Sequence, residues 1–93
     1  SRIEEAAQAV AERDPDRARQ IVRRVAPAAV RSVSRRVLTD PDLRADAEAY
    51  VRAIARDLAA RAGAGDGPSI QNRLTSDGGR AYMLLDAAIG DLA

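Results

Sequence analysis

The sequence predicts an all-α fold, a compact bundle of four to five helices, on three observations. Apolar residues recur at three- and four-residue spacing along most of the chain. Residues that start and stop helices punctuate those stretches. No stretch shows the alternation of Val, Thr and aromatics between hairpin turns that a strand requires. A length of 93 residues suits a single domain over residues 1–93. No apolar run approaches the roughly 18 residues of a membrane helix, and no basic start followed by an apolar stretch marks a signal peptide. Ser1 and the abrupt end at Leu92 and Ala93, inside an apolar pattern, read as a domain excised from a longer protein.

Residues 2–13 are helix formers throughout, with Ile3, Ala6, Ala7 and Val10 on one side. Asp14-Pro15-Asp16 then starts a second helix. Asp14 can accept hydrogen bonds from free backbone N–H groups, Pro15 suits the first helical position, and Asp16 complements the helix dipole. The same punctuation recurs at Asp40-Pro41-Asp42. The residues that follow the two triplets do not match, so this is not an internal repeat.

The second helix runs from about Asp14 to Leu38 with Pro27 in its path. Before Pro27 its apolar face is Ala18, Ile21, Val22 and Val25; after it, Ala29, Val30, Val33 and Val37. At 100° per residue the two faces are offset by roughly 85°. One straight helix could not bury both against one partner, so the helix is kinked or broken at Pro27.

The third helix, about 41–62, carries the clearest stripe: Leu43, Ala47, Tyr50, Val51, Ile54 and Leu58. Arg44, Glu48, Arg52 and Arg56 line its other side, and Gly63 marks its end. GAGDGP at 63–68 is the one loop-like stretch. A short helix over 69–74 presents Ile70 and Leu74. Thr75 or Ser76 caps the last helix, which begins at Asp77 and is apolar around much of its girth. Such a helix is either central to the core or in contact with a partner on two sides. Gly78 and Gly79 in its first turn either allow close backbone packing or mark a late start.

Composition narrows function by exclusion. The chain has no Cys, no His and no Lys, and all 15 of its basic residues are Arg. Thiolate and imidazole metal sites, disulfides, Cys and His nucleophile systems and Schiff-base chemistry are therefore out of reach. Asp14/Asp16 and Asp40/Asp42 are carboxylate pairs, but their proline context reads as capping. Residues 40–46 fail as a calcium loop, because Ala45 stands where Gly is needed and Val51 where the last Glu should be. The glycine-rich stretch at 63–68 lacks a P-loop ending. The expectation is a protein that is not an enzyme, with no catalytic, metal or cofactor-binding residues and no cofactor. Abundant Arg and Ala without Lys is the codon signature of a GC-rich bacterial genome, and the cytoplasm is the expected compartment.

The core is expected to be thin. Of the hydrophobic residues 21 are Ala, and there is no Phe or Trp. A small domain with so little large apolar surface is expected to associate with itself. The strongest asymmetry is charge: residues 1–12 carry a net −2, residues 13–36 a net +6 from eight Arg and two Asp, and residues 37–93 a net −3. An arginine face that is solvated or paired with acids of the other helices or of a second subunit, an acidic protein partner or acidic part of a parent chain, and nucleic acid all fit this pattern. Against nucleic acid, the basic stretch has only Gln20 to read bases and no aromatic to stack on them. Its Val and Ala face would insert weakly into a membrane. Helix-turn-helix, histone-like and heptad patterns do not fit.

The resulting expectation is a protein–protein interaction or homo-oligomerisation module, with nucleic-acid binding through residues 13–36 as the alternative. The partner is the chain itself or a protein with an acidic surface, and no membrane is involved. Tyr82, Met83, Leu84, Leu85 and Ile89 are the expected apolar contact, and Arg23, Arg24, Arg31, Arg35 and Arg36 the charged one.

Overall fold

The computed structural model describes residues 1–92. Six helices follow one another: α1 (Arg2–Ala11), α2 (Pro15–Val25), α3 (Pro27–Thr39), α4 (Pro41–Gly63), α5 (Gly67–Thr75) and α6 (Asp77–Gly90). The expected all-α architecture holds, and no strand occurs among the described residues. The radius of gyration is 12.5 Å, close to the roughly 12 Å of a compact chain of this length.

The count of four to five helices is corrected to six, because the expected second helix is broken rather than bent. Ala26 leaves the helical region at φ −133°, ψ 57°, as a residue before proline is driven to do. Its N–H still closes α2 on the Val22 carbonyl, and its own carbonyl accepts the first bond of α3 from Val30. Pro27 therefore stands at the first position of a new helix, where its missing N–H costs nothing. The break lets each half bury its own face, Ile21 from α2 and Val30 and Val37 from α3.

Side-chain caps fix the other starts. Asp14, Asp40 and Asp66 each accept a hydrogen bond from the amide three residues on, at 3.1–3.2 Å. Ser76 accepts from Gly79 and so caps α6. Ser1 and Glu4 form a full capping box on α1. Among the helices of the described residues, α3 alone begins without a side-chain cap.

Two helix ends differ from expectation. α4 runs through Gly63, and Gly65, at φ 69°, is the left-handed residue that ends it. The Gly65 amide bonds to the Ala62 carbonyl and the Asp66 amide to the Arg61 carbonyl. α1 ends the same way, with Arg13 at φ 58° bonding Val10 and Asp14 bonding Ala9. Each is a Schellman ending. In each, the next residue is an aspartate that caps the following helix, so one short connection closes one helix and opens another.

α6 packs against α2, α3, α4 and α5, while α1 packs against α2, α4 and α5. The main core joins Ile21, Ile54, Leu58, Ile70 and Leu74 to Ala6 and Ala7. Leu58, Ile70 and Leu74 are almost wholly buried, and each contributes roughly 2–3 kcal/mol by burial. α3 meets α6 through small residues. Ala87 and Ala88 are buried, and the buried Ser34 donates its hydroxyl to the Ala88 carbonyl at 3.3 Å.

Among the described residues the backbones of α1 and α6 do not approach each other. α2 packs on both, and the space left between α1 and α6 holds the grooves described next.

Candidate protein-binding surface

Two apolar grooves open beside α2, and Ala6, Val22 and Met83 line both. The first holds about 350 Å³. Val10 of α1, Ala18 of α2, Leu58 of α4 and Tyr82 of α6 wall it, and Arg13, Asp14, Arg19 and Asp86 stand around it. Its acids are already engaged. Asp14 caps α2. Asp86 accepts both arms of the Arg19 guanidinium, at 3.0 and 3.3 Å. That hydrogen bonding raises the Arg19 pKa from its ordinary value, against the opposing effect of partial burial. Burial pushes the neighbouring Tyr82 phenol up to about 12, and the Asp86 charge adds to the rise while Arg19 opposes it.

The second groove holds about 440 Å³. Ile3 comes from α1, Ile21 and Val25 from α2, Ala26 from the α2–α3 break, Ala29 from α3, and Leu84 from α6. Val25 is half exposed. The charged residues lining this groove are Arg2 and Arg80. Neither forms an ion pair among the described residues. The groove is thus apolar inside, cationic at its edge and without an acid.

Ala26, the residue at the break, and Ala29, in the first turn of α3, line this groove beside Val25.

The five apolar residues singled out from the sequence are all partly buried. Tyr82 and Met83 line the first groove, Met83 and Leu84 the second, and Leu85 and Ile89 line neither. The five arginines divide. Arg23 belongs to the intramolecular packing: its guanidinium lies 3.5 Å from the Asp91 carboxylate and donates to the Ala87 carbonyl at 3.4 Å. Gly90 leaves room for it, since a Cβ there would stand 3.3 Å from Arg23 Nη2 and 3.0 Å from Arg19 Cδ. Arg24, Arg31, Arg35 and Arg36 are exposed and form no ion pair among the described residues.

Sequence reasoning missed Arg2 and Arg80. One signal for Arg80 was present, because it stands four residues before Leu84 on the same side of α6. Nothing in the sequence joins it to Arg2 at the other end of the chain.

Among the described residues no cluster of acids suits a metal ion, and no helix is long and apolar enough to cross a membrane. No protein-family model, no curated protein and no solved structure matches the chain.

Proposed function

We propose that the chain is a non-enzymatic protein–protein interaction module that recognises a partner with an acidic surface. The observation that carries this reading is the second groove. Its walls are aliphatic, and its charged residues are two arginines with no carboxylate to answer them. Apolar surface in a concave patch supplies affinity, and unpaired charge at its edge supplies specificity and a faster encounter. The absence of His, Cys and Lys supports a role in binding rather than in catalysis.

The test is site-specific photo-crosslinking in the cell that makes the protein. A photoreactive group at Val25, in the groove, is compared with one at Arg52, exposed on α4 and outside both grooves. The expected result is a discrete protein adduct from position 25 that is lost when Arg80→Glu is added. Equal adducts from both positions, or none from position 25, would remove this reading.

A second reading has one observation in its favour. α3 contains no acid, and Arg31, Arg35 and Arg36 on it are unpaired among the described residues. Such a helix could neutralise phosphates. Retention of duplex or single-stranded DNA or RNA at low salt, lost steeply as salt rises and abolished by Arg31→Ala with Arg35→Ala, would put nucleic-acid binding in place of the protein partner.

A further inference from the structure

We infer that the groove edged by Arg2 and Arg80 takes a single amphipathic helix of a different protein, with an aliphatic stripe bounded by carboxylates. This rests on the reading of the chain as a protein-binding module and goes further by naming what sits in the groove.

The backbone argument favours a helix over an extended segment. Every wall of the groove comes from a helix or from the one-residue break between two. Helical walls offer no row of free N–H and C=O groups, so a strand docked there would leave its own backbone groups without partners. A helix satisfies its backbone internally and needs only side-chain pockets. The volume sets the number of anchors. On the scale at which a cavity of about 150 Å³ holds one benzene ring, about 440 Å³ holds about three side chains of Leu or Phe size. Three anchors are what a docked helix presents at i, i+3 or i+4, and i+7.

The charge argument fixes what flanks the anchors. Arg2 and Arg80 have no acid within the groove and no ion pair elsewhere among the described residues. Covering them with apolar surface would strand two charges. Two carboxylates flanking the anchors, one for each arginine, meet the guanidinium groups in their favoured forked geometry.

The same charges disfavour a second copy. Among the described residues the large hydrophobics that stand exposed are Val25, in the groove wall, and Leu38. Leu38 follows Arg31 by seven residues and Arg35 by three, so it shares a side of α3 with both. To insert Leu38, a second copy would bring two arginines up to Arg2 and Arg80. The occupant is therefore a separate, acidic protein segment.

The test is selection from a displayed library of helix-forming peptides of about 16 residues, long enough to stay helical once docked. Aliphatic residues are fixed at i, at i+3 or i+4, and at i+7, and the flanking positions vary among Glu, Lys, Gln and Ala. The 93-residue chain is the bait, and its Val25→Glu variant the counter-selection, a change at a half-exposed site that leaves the core untouched. The expected result is enrichment of Glu at the flanks. A selected peptide gains helicity on binding, and Arg2→Gln with Arg80→Gln weakens it by roughly tenfold or more and removes most of its salt dependence. Enrichment of Lys, no flank preference, or nothing retained above the counter-selection overturns the inference. So does a wild-type chain that assembles with itself and is returned to monomer by Val25→Glu. Failure here together with a protein adduct from the position-25 crosslink would leave the interaction module standing and remove only the acidic helix.

Discussion

Arg19 on α2 grips Asp86 on α6 with both arms of its guanidinium, Nε to Oδ2 at 3.0 Å and Nη2 to Oδ1 at 3.3 Å. The pair ties an early helix to the last one at the edge of the first groove. Its two members are not equally solvated: the Arg19 side chain is 30% exposed and that of Asp86 13%. Arg19 also has a second acid in reach, Asp16 at 3.4 Å. Loss of Asp86 therefore leaves a cation that can turn to Asp16 and water, whereas loss of Arg19 strands a carboxylate against an apolar wall. Arg19→Met is expected to cost about 2–3 kcal/mol and Asp86→Asn about 1 kcal/mol. Urea unfolding of both variants reads the difference as a shift in midpoint at constant slope. Equal losses would show that the pair is held as an exposed one.

Gly78 and Gly79 occupy the same helical turn and predict outcomes of very different size. A Cβ on Gly79 would collide with the Arg73 carbonyl oxygen and come within 2.7 Å of the Leu74 Cα, both fixed backbone atoms of α5. A Cβ on Gly78 would meet the Tyr50 hydroxyl at 3.1 Å and the Arg73 guanidinium at 3.2 Å, both ends of side chains. Gly79→Ala must force α5 and α6 apart, and a loss of about 3 kcal/mol or more is expected. For Gly78→Ala the helix gains about 1 kcal/mol of propensity, set against the disturbed hydrogen bond from Tyr50 to the Gly78 carbonyl at 2.6 Å. The net change is expected within about 1 kcal/mol of zero. Thermal unfolding of the two alanine variants separates them. Of the two sequence readings of this Gly pair, close backbone packing is the one seen at Gly79.

What the sequence made legible is what depends on neighbours a few residues away. The stripe from Leu43 to Leu58 puts Ala47, Ile54 and Leu58 in the interior. Ile70 and Leu74 are wholly buried, Asp14 and Asp40 cap the helices they precede, and the chain breaks at Pro27. The Asp66 cap was hidden because Gly67 intervenes before Pro68 and spoils the Asp-Pro signature. Gly65 was passed over for Gly63 because a helix tolerates glycine in its last turn, and only the φ of 69° shows which glycine turns the chain. Of the second groove, the sequence singled out Met83 and Leu84 but not the residues they meet. Ile3, Val25 and Leu84 meet there because α2 packs on both α1 and α6, and helical periodicity says which way a residue faces within its helix, not which helix it will face. The partial burial of Arg23 has the same origin, since its partners are at the far end of the chain.

Arg13 and Gly65 hold equivalent left-handed positions at the ends of α1 and α4, at φ 58° and 69°. A side chain at such a position costs roughly 1 kcal/mol, and glycine relieves it. Arg13→Gly is expected to stabilise the protein by up to about 1 kcal/mol, and Gly65→Ala to destabilise it by a similar amount. Among the described residues nothing beyond its two chain neighbours lies within 4 Å of a Cβ built on Gly65, so the second change tests backbone strain. Chemical denaturation of both variants checks the pair. A destabilised Arg13→Gly would mean that the Arg13 guanidinium, which reaches within 3.4 Å of a Cβ position on Gly63, contributes more at the end of α4 than its strained backbone costs.

Tyr82 makes the stability of the fold depend on alkaline pH. Burial first, and the Asp86 charge second, push its phenol up to about 12 from an ordinary value of 10.0. In the unfolded chain the same phenol ionises near its ordinary value. Below about pH 10 both states carry a neutral Tyr82 and the folded state keeps its full advantage. Between about pH 10 and 12 the unfolded chain gives up the proton while the folded one holds it, so stability falls through that window. Once the partial exposure of the ring is allowed for, the loss is on the order of 1 kcal/mol. Urea unfolding from pH 9 to 12 is expected to show this decline in the wild type and a shallower one in Tyr82→Phe. Asp86→Asn removes the neighbouring negative charge and should move the Tyr82 titration, followed by phenolate absorbance against the Phe variant, toward lower pH. A Tyr82 titration that stays near 10 in the wild type would show that the first groove admits water to the phenol.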